Sequence, residues 1–245
     1  MKALELIAEI QKRALVKSLE DKSWVVDGGF FKGAFALEAI QHLESVQCIG
    51  FEPNRKLFEQ WQASSFSKNE CITLENSALG SQCGEASYFS SDSFPATNSL
   101  LPRPLSASRV DPYYPREAGL RKESKNVNIV SLDQYFLSRS VSEIFLLKLD
   151  LQGGELEALR GAKNLLKKGS ISVVYVEAVF VEKYEKQPLL KDLWDFLAGF
   201  DYRLHSLYDI KSGDYEDTKN IVRLGQLNQC DALFFSQEVL ALMGA

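Results

Sequence analysis

The chain alternates between short apolar runs and segments whose apolar residues recur every three or four positions. Such runs are typical of strands buried in a parallel sheet, and such segments are typical of helices packed on it. The runs predict strands at 24–27, 46–52, 71–75, 86–89, 127–130, 144–149, 171–177, 202–207 and 231–236. The periodic segments predict helices at 33–43, 53–66, 155–166 and 189–200. This alternation favours an α/β fold with a mostly parallel sheet, and the polar stretch 209–229 is predicted to be an excursion on its surface.

The first predicted strand ends in a turn that is typical of ligand binding. Asp27 closes the strand, Gly28 and Gly29 follow, and a helix begins near Gly33. Glycines tolerate backbone angles closed to other residues and let a ligand approach the main chain. Because ligands of open α/β sheets bind at the carboxyl ends of the strands, we expect a site here.

Two further predicted strands also end in acids. Glu52 follows the second strand, and Pro53 then suits the first turn of the next helix, where its missing N–H costs nothing. Asp150 follows a nearly continuous apolar strand and precedes another glycine turn. Three carboxylates at one rim of a sheet are costly unless a ligand or hydrogen-bond donors pair with them. Their clustering therefore indicates a functional site.

Composition narrows the classes of partner. The chain has 245 residues and a net charge of −5, which argues against a nucleic-acid partner. No apolar run approaches the ~18–20 residues that span a bilayer. Residues 1–22 are too charged for a signal peptide and predict an amphipathic helix packed on one large domain, 23–245. Four cysteines without C-x-x-C spacing are typical of reduced thiols, which favours a cytoplasmic protein.

One segment, 90–126, differs from the rest. It holds five of the seven prolines together with several arginines and tyrosines. Prolines at that density prevent a regular helix or a central strand. Long loops in compact domains are usually functional or disordered, so the segment is interpreted either as a lid over a substrate or as an insertion without fixed structure.

The motifs resemble those of the FkbM-type S-adenosylmethionine-dependent methyltransferases over most of the chain. The resemblance rests on Val26-Asp27-Gly28-Gly29 with Gly33, Phe51-Glu52-Pro53-Asn54, Asn76-Ser77-Ala78-Leu79-Gly80, Thr97-Asn98-Ser99-Leu100, Val130-Ser131-Leu132-Asp133, Leu147-Lys148-Leu149-Asp150-Leu151-Gln152-Gly153-Gly154-Glu155 and Leu159-Arg160-Gly161-Ala162. It implies a Rossmann-like, seven-stranded, mostly parallel sheet with one antiparallel strand and helices on both faces. The implied activity is methyl transfer to a hydroxyl oxygen of a small natural product or sugar. The family usually has Glu where Gln152 stands, which removes one candidate base.

The resemblance also implies roles for individual residues. The implied cofactor-binding residues are Asp27, Gly28, Gly29, Gly33, Glu52, Pro53, Ser77, Ala78 and Asp150. Of these, the first three would lie beside the methionine part of S-adenosylmethionine, Glu52 would hold the ribose hydroxyls, and Ser77 with Ala78 would border the adenine. Asp150 would lie near the sulfonium and the acceptor, either as a base or only as a positioning group. Glu155 is the second catalytic candidate, followed by Lys148 and Glu177.

Two other functions share these sequence features. A nicotinamide-dependent oxidoreductase would also use a glycine turn and a strand-end acid, but Asp27 would repel its pyrophosphate. A non-catalytic binding module on a methyltransferase fold is the second alternative; the change at Gln152 allows it, whereas the retained cofactor motifs count against it. With only two histidines, His42 and His205, no metal site is expected. The expected partner is a small-molecule acceptor, with no nucleic acid and no membrane span, and the oligomeric state stays open.

Overall fold

A computed structural model describes residues 3–15, 23–103, 123–139, 141, 143–216 and 222–244. Most of the segment predicted to be a lid, 104–122, lies outside the described residues, as do all of its arginines except Arg103. The remaining part of the predicted N-terminal helical segment, 16–22, also lies outside them.

Helices and strands alternate along the chain. The strands are β1 Ser23–Gly28, β2 Val46–Phe51, β3 Ile72–Glu75, β4 Ala78–Leu79, β5 Gly84–Ser90, β6 Glu123–Val130, β7 Ile144–Leu149, β8 Ile171–Val179, β9 Arg203–Glu216 and β10 Val222–Phe235. The α-helices are α1 Ala3–Leu15, α2 Ala34–His42, α3 Arg55–Ala63, α4 Leu132–Leu137, α5 Glu155–Arg160, α6 Lys163–Lys167, α7 Leu190–Ala198 and α8 Gln237–Met243. Two 3₁₀ turns, Ser65–Lys68 and Pro95–Thr97, complete the described elements.

The main sheet has seven strands in the order β3-β2-β1-β7-β8-β10-β9. The five strands from β3 to β8 pair in parallel, whereas β10 runs antiparallel to both of its neighbours. A smaller sheet, β4-β6-β5, packs beside it. The predicted fold class, a seven-stranded sheet with one antiparallel strand and helices on both faces, is confirmed.

Two apolar clusters explain why the sheet is buried on both faces. On one face, Ile7 of α1, Ala36 of α2 and Val239 of α8 pack with Val25 and Phe235 of the sheet. On the other face, the sheet residues pack with apolar residues of α4 to α7. Burial of this kind stabilises the fold by about 25 cal/mol per Å² of apolar surface. The carboxyl ends of the five parallel strands β3, β2, β1, β7 and β8 lie at one rim of this buried sheet.

The structure corrects the sequence analysis in three places. The described residues of the stretch 209–229 are largely exposed, but they are regular strand, because β9 and β10 continue into them as a paired antiparallel arm. The helix expected at 155–166 is divided into α5 and α6 at Gly161, where a Cβ would lie only 2.0 Å from the carbonyl oxygen of Gly80. The third helix begins after Asn54, whose side chain accepts hydrogen bonds from the N–H groups of Lys56 and Leu57, so Pro53 precedes the helix.

Candidate functional site

A cavity of about 680 Å³ opens at the carboxyl ends of the central strands. It is lined by Gly29, Phe31, Phe51, Glu52, Pro53, Ala78, Leu79, Tyr88, Pro95, Ala96, Asn98, Leu100, Asp150, Leu151, Gln152, Glu177, Lys183, Lys211, Ser212, Gly213, Asn228 and Gln229. This volume falls in the ordinary range of small-molecule sites. Its walls come from the glycine turn after β1, the end of β2 and the residues after it, β4, β5 with the segment after it, the loop after β7, β8 with the segment after it, and the arm formed by β9 and β10.

A second cavity, of about 290 Å³, adjoins the first near the start of α2. The residues that line both cavities are Gly29, Phe31, Asp150 and Glu177. Asp150 and Glu177 are therefore the carboxylates at the junction. A ligand that occupies both cavities must pass between these two side chains and the glycine turn.

Gly29 brings the backbone of the glycine turn against the loop after β7. Its φ is +79°, and a Cβ added there would lie 1.9 Å from the carbonyl oxygen of Asp150. Only glycine fits this position, because a side chain would be strained and would also clash. Phe31, two residues later, has φ +53° and donates its N–H to Glu52 Oε2 at 2.8 Å. The turn is thus held in an unusual conformation by the acid at the end of β2.

Glu52 lies where the glycine turn meets the second strand. Its Oε1 accepts a hydrogen bond from the Asn54 N–H at 2.8 Å, and its side chain is only 4% exposed. Burial raises the pKa of Glu52 to about 7, although the N–H groups of Asn54 and Phe31 oppose that shift. Each carboxylate oxygen retains a lone pair, because a carboxylate offers about four acceptor sites. Glu52 can therefore accept hydrogen bonds from a ligand in the cavity.

Asp27 does not line either cavity. It is fully buried, and its Oδ1 accepts a hydrogen bond from Lys148 Nζ at 2.8 Å. The same ammonium group donates to the carbonyl oxygen of Gly29 at 3.0 Å. Burial raises the pKa of Asp27, and the charge of Lys148 opposes the rise. Asp27 and Lys148 together hold the backbone of the glycine turn in place, a supporting role that the sequence did not reveal.

The loop after β7 is shaped by Glu155. Its Oε1 accepts the N–H of Leu151 at 2.7 Å and the N–H of Gly153 at 3.2 Å. Its side chain is buried, which raises its pKa to about 7 despite these donors. Glu155 lines neither cavity, so the structure places this catalytic candidate behind the loop that carries Asp150.

Gln152 joins the two junction carboxylates. It has φ +54°, and its Nε2 donates to Asp150 Oδ1 at 2.8 Å and to Glu177 Oε2 at 3.0 Å. Its Oε1 accepts from the hydroxyl of Tyr184 at 3.0 Å, and its carbonyl accepts from Ser99 Oγ at 2.7 Å. The amide is consequently oriented with its donor side toward both acids.

The structure separates the other predicted cofactor residues. Pro53 and Ala78 line the large cavity, whereas Gly28, Gly33 and Ser77 do not. Gly33 has φ +76°, and a Cβ there would collide with the rings of Phe30 and Trp61, so its described contacts are with the core.

Sequence reasoning missed most of the residues on the far wall of the cavity. These are Lys183 after β8 and Lys211, Ser212, Gly213, Asn228 and Gln229 of the β9–β10 arm. The polar residues of the β9–β10 arm could be seen in the sequence, but the local pattern does not show that the two segments pair as strands. Asn98 and Leu100, from the Thr97–Leu100 motif, line the opposite wall.

The described residues bear on the sequence expectations for metal and histidine sites. Among the described residues, no group of three His, Cys, Asp or Glu side chains is arranged to hold a metal ion. His42 and His205 are absent from the linings of both cavities.

In the described part of the chain, no helix is both long and apolar enough to cross a bilayer.

Comparison with known proteins adds solved structures of similar architecture. Precorrin-6y C5,15-methyltransferase from Geobacter metallireducens is 12% identical, with a TM-score of 0.44, coverage of 97% of this chain and 92% of that one. Magnesium protoporphyrin IX methyltransferase (ChlM) from Synechocystis PCC 6803 with bound SAM is 9% identical, with a TM-score of 0.45 and coverages of 96% and 79%. No curated protein matches the sequence.

A family model gives the more specific result. The model of the methyltransferase FkbM domain matches residues 30–204, which is well over half of the chain. The matched range includes Glu52 and Asp150, together with the loop that carries Gln152. The match confirms the resemblance found in the motifs and supports an S-adenosylmethionine-dependent methyltransferase. The chain belongs to the FkbM methyltransferase domain family.

Proposed function

We propose that this protein transfers the methyl group of S-adenosylmethionine to a hydroxyl oxygen of a small natural product or sugar. The observation that carries the proposal is the junction of two cavities at Gly29, Phe31, Asp150 and Glu177. One donor and one acceptor can meet at such a junction. Enclosure and alignment are the main requirements of methyl transfer from a sulfonium.

The residues present fit the nucleoside end of the cofactor. Glu52 offers carboxylate lone pairs for the ribose hydroxyls, as the family resemblance implies. Phe51, Ala78 and Leu79 provide an apolar wall against which the adenine can pack. Asn76 Nδ2 donates to the carbonyl oxygen of Glu52 at 2.8 Å and so holds the loop after β3 against the strand that carries Glu52.

The residues also fit the sulfonium end. Gly29 lets a ligand lie against the main chain, and Asp150 faces both cavities beside it. A carboxylate at this position stabilises a nearby cation more strongly in a partly enclosed site than in water. S-Adenosylmethionine, when bound, supplies an activated methyl group. The chain then has to align the acceptor with it, and such positioning supplies about 7–11 kcal/mol in favourable cases.

Isothermal titration calorimetry tests the cofactor part of the proposal. We expect S-adenosylhomocysteine to bind and NAD⁺ not to bind. Glu52→Gln should weaken S-adenosylhomocysteine binding about 10- to 100-fold, because a hydrogen bond to a charged group contributes about 1.5–3 kcal/mol. Glu75→Gln is the matched control, since its carboxylate contacts Tyr135 and Arg139 and does not line the cavity. Binding of NAD⁺ alone would favour the oxidoreductase, and binding of neither would favour the non-catalytic module.

The acceptor part needs a separate measurement. Mass spectrometry of S-adenosylhomocysteine formation with sugar, polyol and phenol probes, compared with amine and thiol probes, tests the preference for oxygen. Transfer to amines or thiols alone would overturn the O-methyl assignment and leave the methyltransferase assignment in place. The cytoplasmic location and the absence of a nucleic-acid partner stay predictions of the sequence, and the oligomeric state stays open.

A further inference from the structure

A series of hydrogen-bonded polar side chains lines the large cavity and leads to Glu177. Lys183 Nζ donates to Gln229 Oε1, and Gln229 Nε2 then donates to Glu177 Oε1 at 3.0 Å. From the other side, Gln152 Nε2 donates to Glu177 Oε2 at 3.0 Å. Both oxygens of Glu177 are therefore oriented by amide groups, and Lys183 and Tyr184 orient those amides in turn.

From this arrangement we propose that Glu177 is the base that removes the proton from the acceptor hydroxyl, and that Gln152 and Gln229 are its positioning residues. The inference rests on the proposed function, because it needs a methyl donor and a hydroxyl acceptor at the junction of the cavities.

Two features distinguish Glu177 from Asp150, the other junction carboxylate. Asp150 exerts a stronger electrostatic effect than Glu177 on Lys148, the cation beneath the glycine turn. Glu177 has no cation within ion-pair distance among the described residues, and its hydrogen bonds come from neutral amides. Asp150 is consequently suited to hold a positive group, and Glu177 is suited to take a proton.

The charges around Glu177 support this division. Burial raises its pKa most, and the nearby carboxylates of Asp150, Glu155 and Asp231 raise it further. Lys183 is the cation that opposes the rise most. Lys148 also interacts with Glu177, because the charge of Glu177 raises the pKa of that lysine. Among the described neighbours, three carboxylates and two lysines act on Glu177, and this balance favours proton uptake.

The step balances in atoms and charge. A lone pair of the acceptor oxygen forms the O–CH₃ bond, and the C–S bond breaks with its electron pair going to sulfur, so the sulfonium becomes a thioether. The electrons of the O–H bond stay on oxygen, and the proton goes to the Glu177 carboxylate, which becomes a carboxylic acid. One negative and one positive charge disappear together. Loss of an opposite pair avoids leaving an isolated charge in an enclosed site.

Infrared titration tests the proton acceptor without knowledge of the natural acceptor. Wild type, Glu177→Gln and the matched control Glu185→Gln, which changes an exposed acid nearby, are each titrated from pH 5 to 9 with S-adenosylhomocysteine present. Because burial also raises the pKa values of Glu52 and Glu155 to about 7, all three proteins should share protonated-carboxyl bands from those two acids. We expect one further band in the wild type and in Glu185→Gln that is missing from Glu177→Gln. The midpoint of that band should lie above that of a free glutamate, because burial raises the pKa of Glu177. Absence of such a band would overturn the proposal.

Turnover provides the second readout. Glu177→Gln should bind S-adenosylhomocysteine as the wild type does. With a neutral aliphatic hydroxyl probe such as methyl β-D-glucopyranoside as the acceptor, its rate of methyl transfer should fall about 10²- to 10⁴-fold, the range for removal of a general base. Equal rates in wild type and Glu177→Gln would overturn the proposal. If the probe is not methylated by the wild type, the infrared titration decides. Failure of S-adenosylhomocysteine to bind the wild type would instead contradict the proposed function.

Discussion

Lys148 Nζ lies 2.8 Å from Asp27 Oδ1, beneath a glycine turn whose carbonyl oxygens face the same ammonium group. Asp27 is fully buried, and its Oδ2 makes no hydrogen bond of standard geometry with any described residue. Asp27, which the sequence analysis assigned to cofactor binding, is therefore paired with a cation of the protein itself, Lys148. This pair supports the turn on which the cofactor is proposed to lie.

The buried pair predicts a large loss of stability when its cation is removed. In Lys148→Met, Asp27 would be left buried without its partner, and breaking such a pair costs about 3–5 kcal/mol. Urea unfolding at pH 7 measures the change. The matched control is Lys56→Met, which removes the cation from the exposed pair with Asp92 and should cost less than about 1 kcal/mol. Similar losses in the two variants would contradict the role given to Lys148.

The close approach at the glycine turn gives a second prediction. Gly29→Ala and Gly169→Ala both place a Cβ on a residue with positive φ, +79° and +68° respectively. Each should lose about 1–2 kcal/mol through backbone strain alone. Only Gly29→Ala also directs its Cβ to within 1.9 Å of the Asp150 carbonyl oxygen, whereas nothing lies within 4 Å at Gly169. We therefore expect a clearly larger loss in Gly29→Ala, measured by urea unfolding, together with weaker S-adenosylhomocysteine binding.

Local pattern was sufficient to predict the sheet and its acidic rim. β1, β2 and β7 are short apolar runs buried on both faces, so their positions follow from hydrophobicity alone. Glu52 and Asp150 lie at the cavity because each immediately follows such a strand. The break at Gly161 could not be predicted, since it depends on contact with Gly80, which is 81 positions earlier in the chain.

The far wall of the cavity required information that a local pattern does not contain. Lys211 and Gln229 lie opposite each other because β9 and β10 pair in an antiparallel register, in which Gln229 also lies beside Val179, the last residue of β8. Their polar residues predict solvent exposure when each segment is considered alone. The hydrogen bonds among Gln152, Glu177 and Gln229 likewise join three separate parts of the chain. Tertiary pairing, rather than propensity, determined this part of the site.

Cofactor affinity is expected to depend on pH through Glu52. Burial raises its pKa to about 7, so the carboxylate forms as pH rises through that value. The ionised form is the stronger acceptor for ribose hydroxyls. Binding of S-adenosylhomocysteine should therefore tighten between pH 5.5 and 8, by up to about tenfold if the two forms differ by ~1.4 kcal/mol. Calorimetry across this range measures the change.

Two variants identify the group responsible for that dependence. Glu52→Gln should bind weakly and with little variation in this pH range. Glu155→Gln is the matched control, because burial raises the pKa of Glu155 to about 7 as well, yet its carboxylate faces the Leu151–Gly153 backbone instead of the cavity. If the pH dependence persisted in Glu52→Gln and disappeared in Glu155→Gln, Glu155 rather than Glu52 would be the residue responsible, and the prediction would be wrong.

Gln152→Glu tests the amide between the two junction carboxylates. The substitution replaces a donor that binds Asp150 at 2.8 Å and Glu177 at 3.0 Å with a third acid, so the cluster must take up a proton or repel. A group that binds its proton more tightly when folded stabilises the protein at low pH and loses that contribution as pH rises. We therefore expect a deficit of about 2–4 kcal/mol at pH 8, which corresponds to the loss of one or two charge-assisted hydrogen bonds, and a smaller deficit at pH 5.5.

Urea unfolding of Gln152→Glu at the two pH values measures this difference, with Gln62→Glu as the control on the exposed face of α3. The control adds the same charge where water can solvate it, so its effect should stay within about 0.5 kcal/mol at both pH values. A deficit that is the same at pH 8 and pH 5.5 would mean that lost packing, rather than carboxylate repulsion, limits the variant. In that case the amide of Gln152 would not be what holds the carboxyl groups of Asp150 and Glu177 together at the junction where the donor and acceptor are proposed to meet.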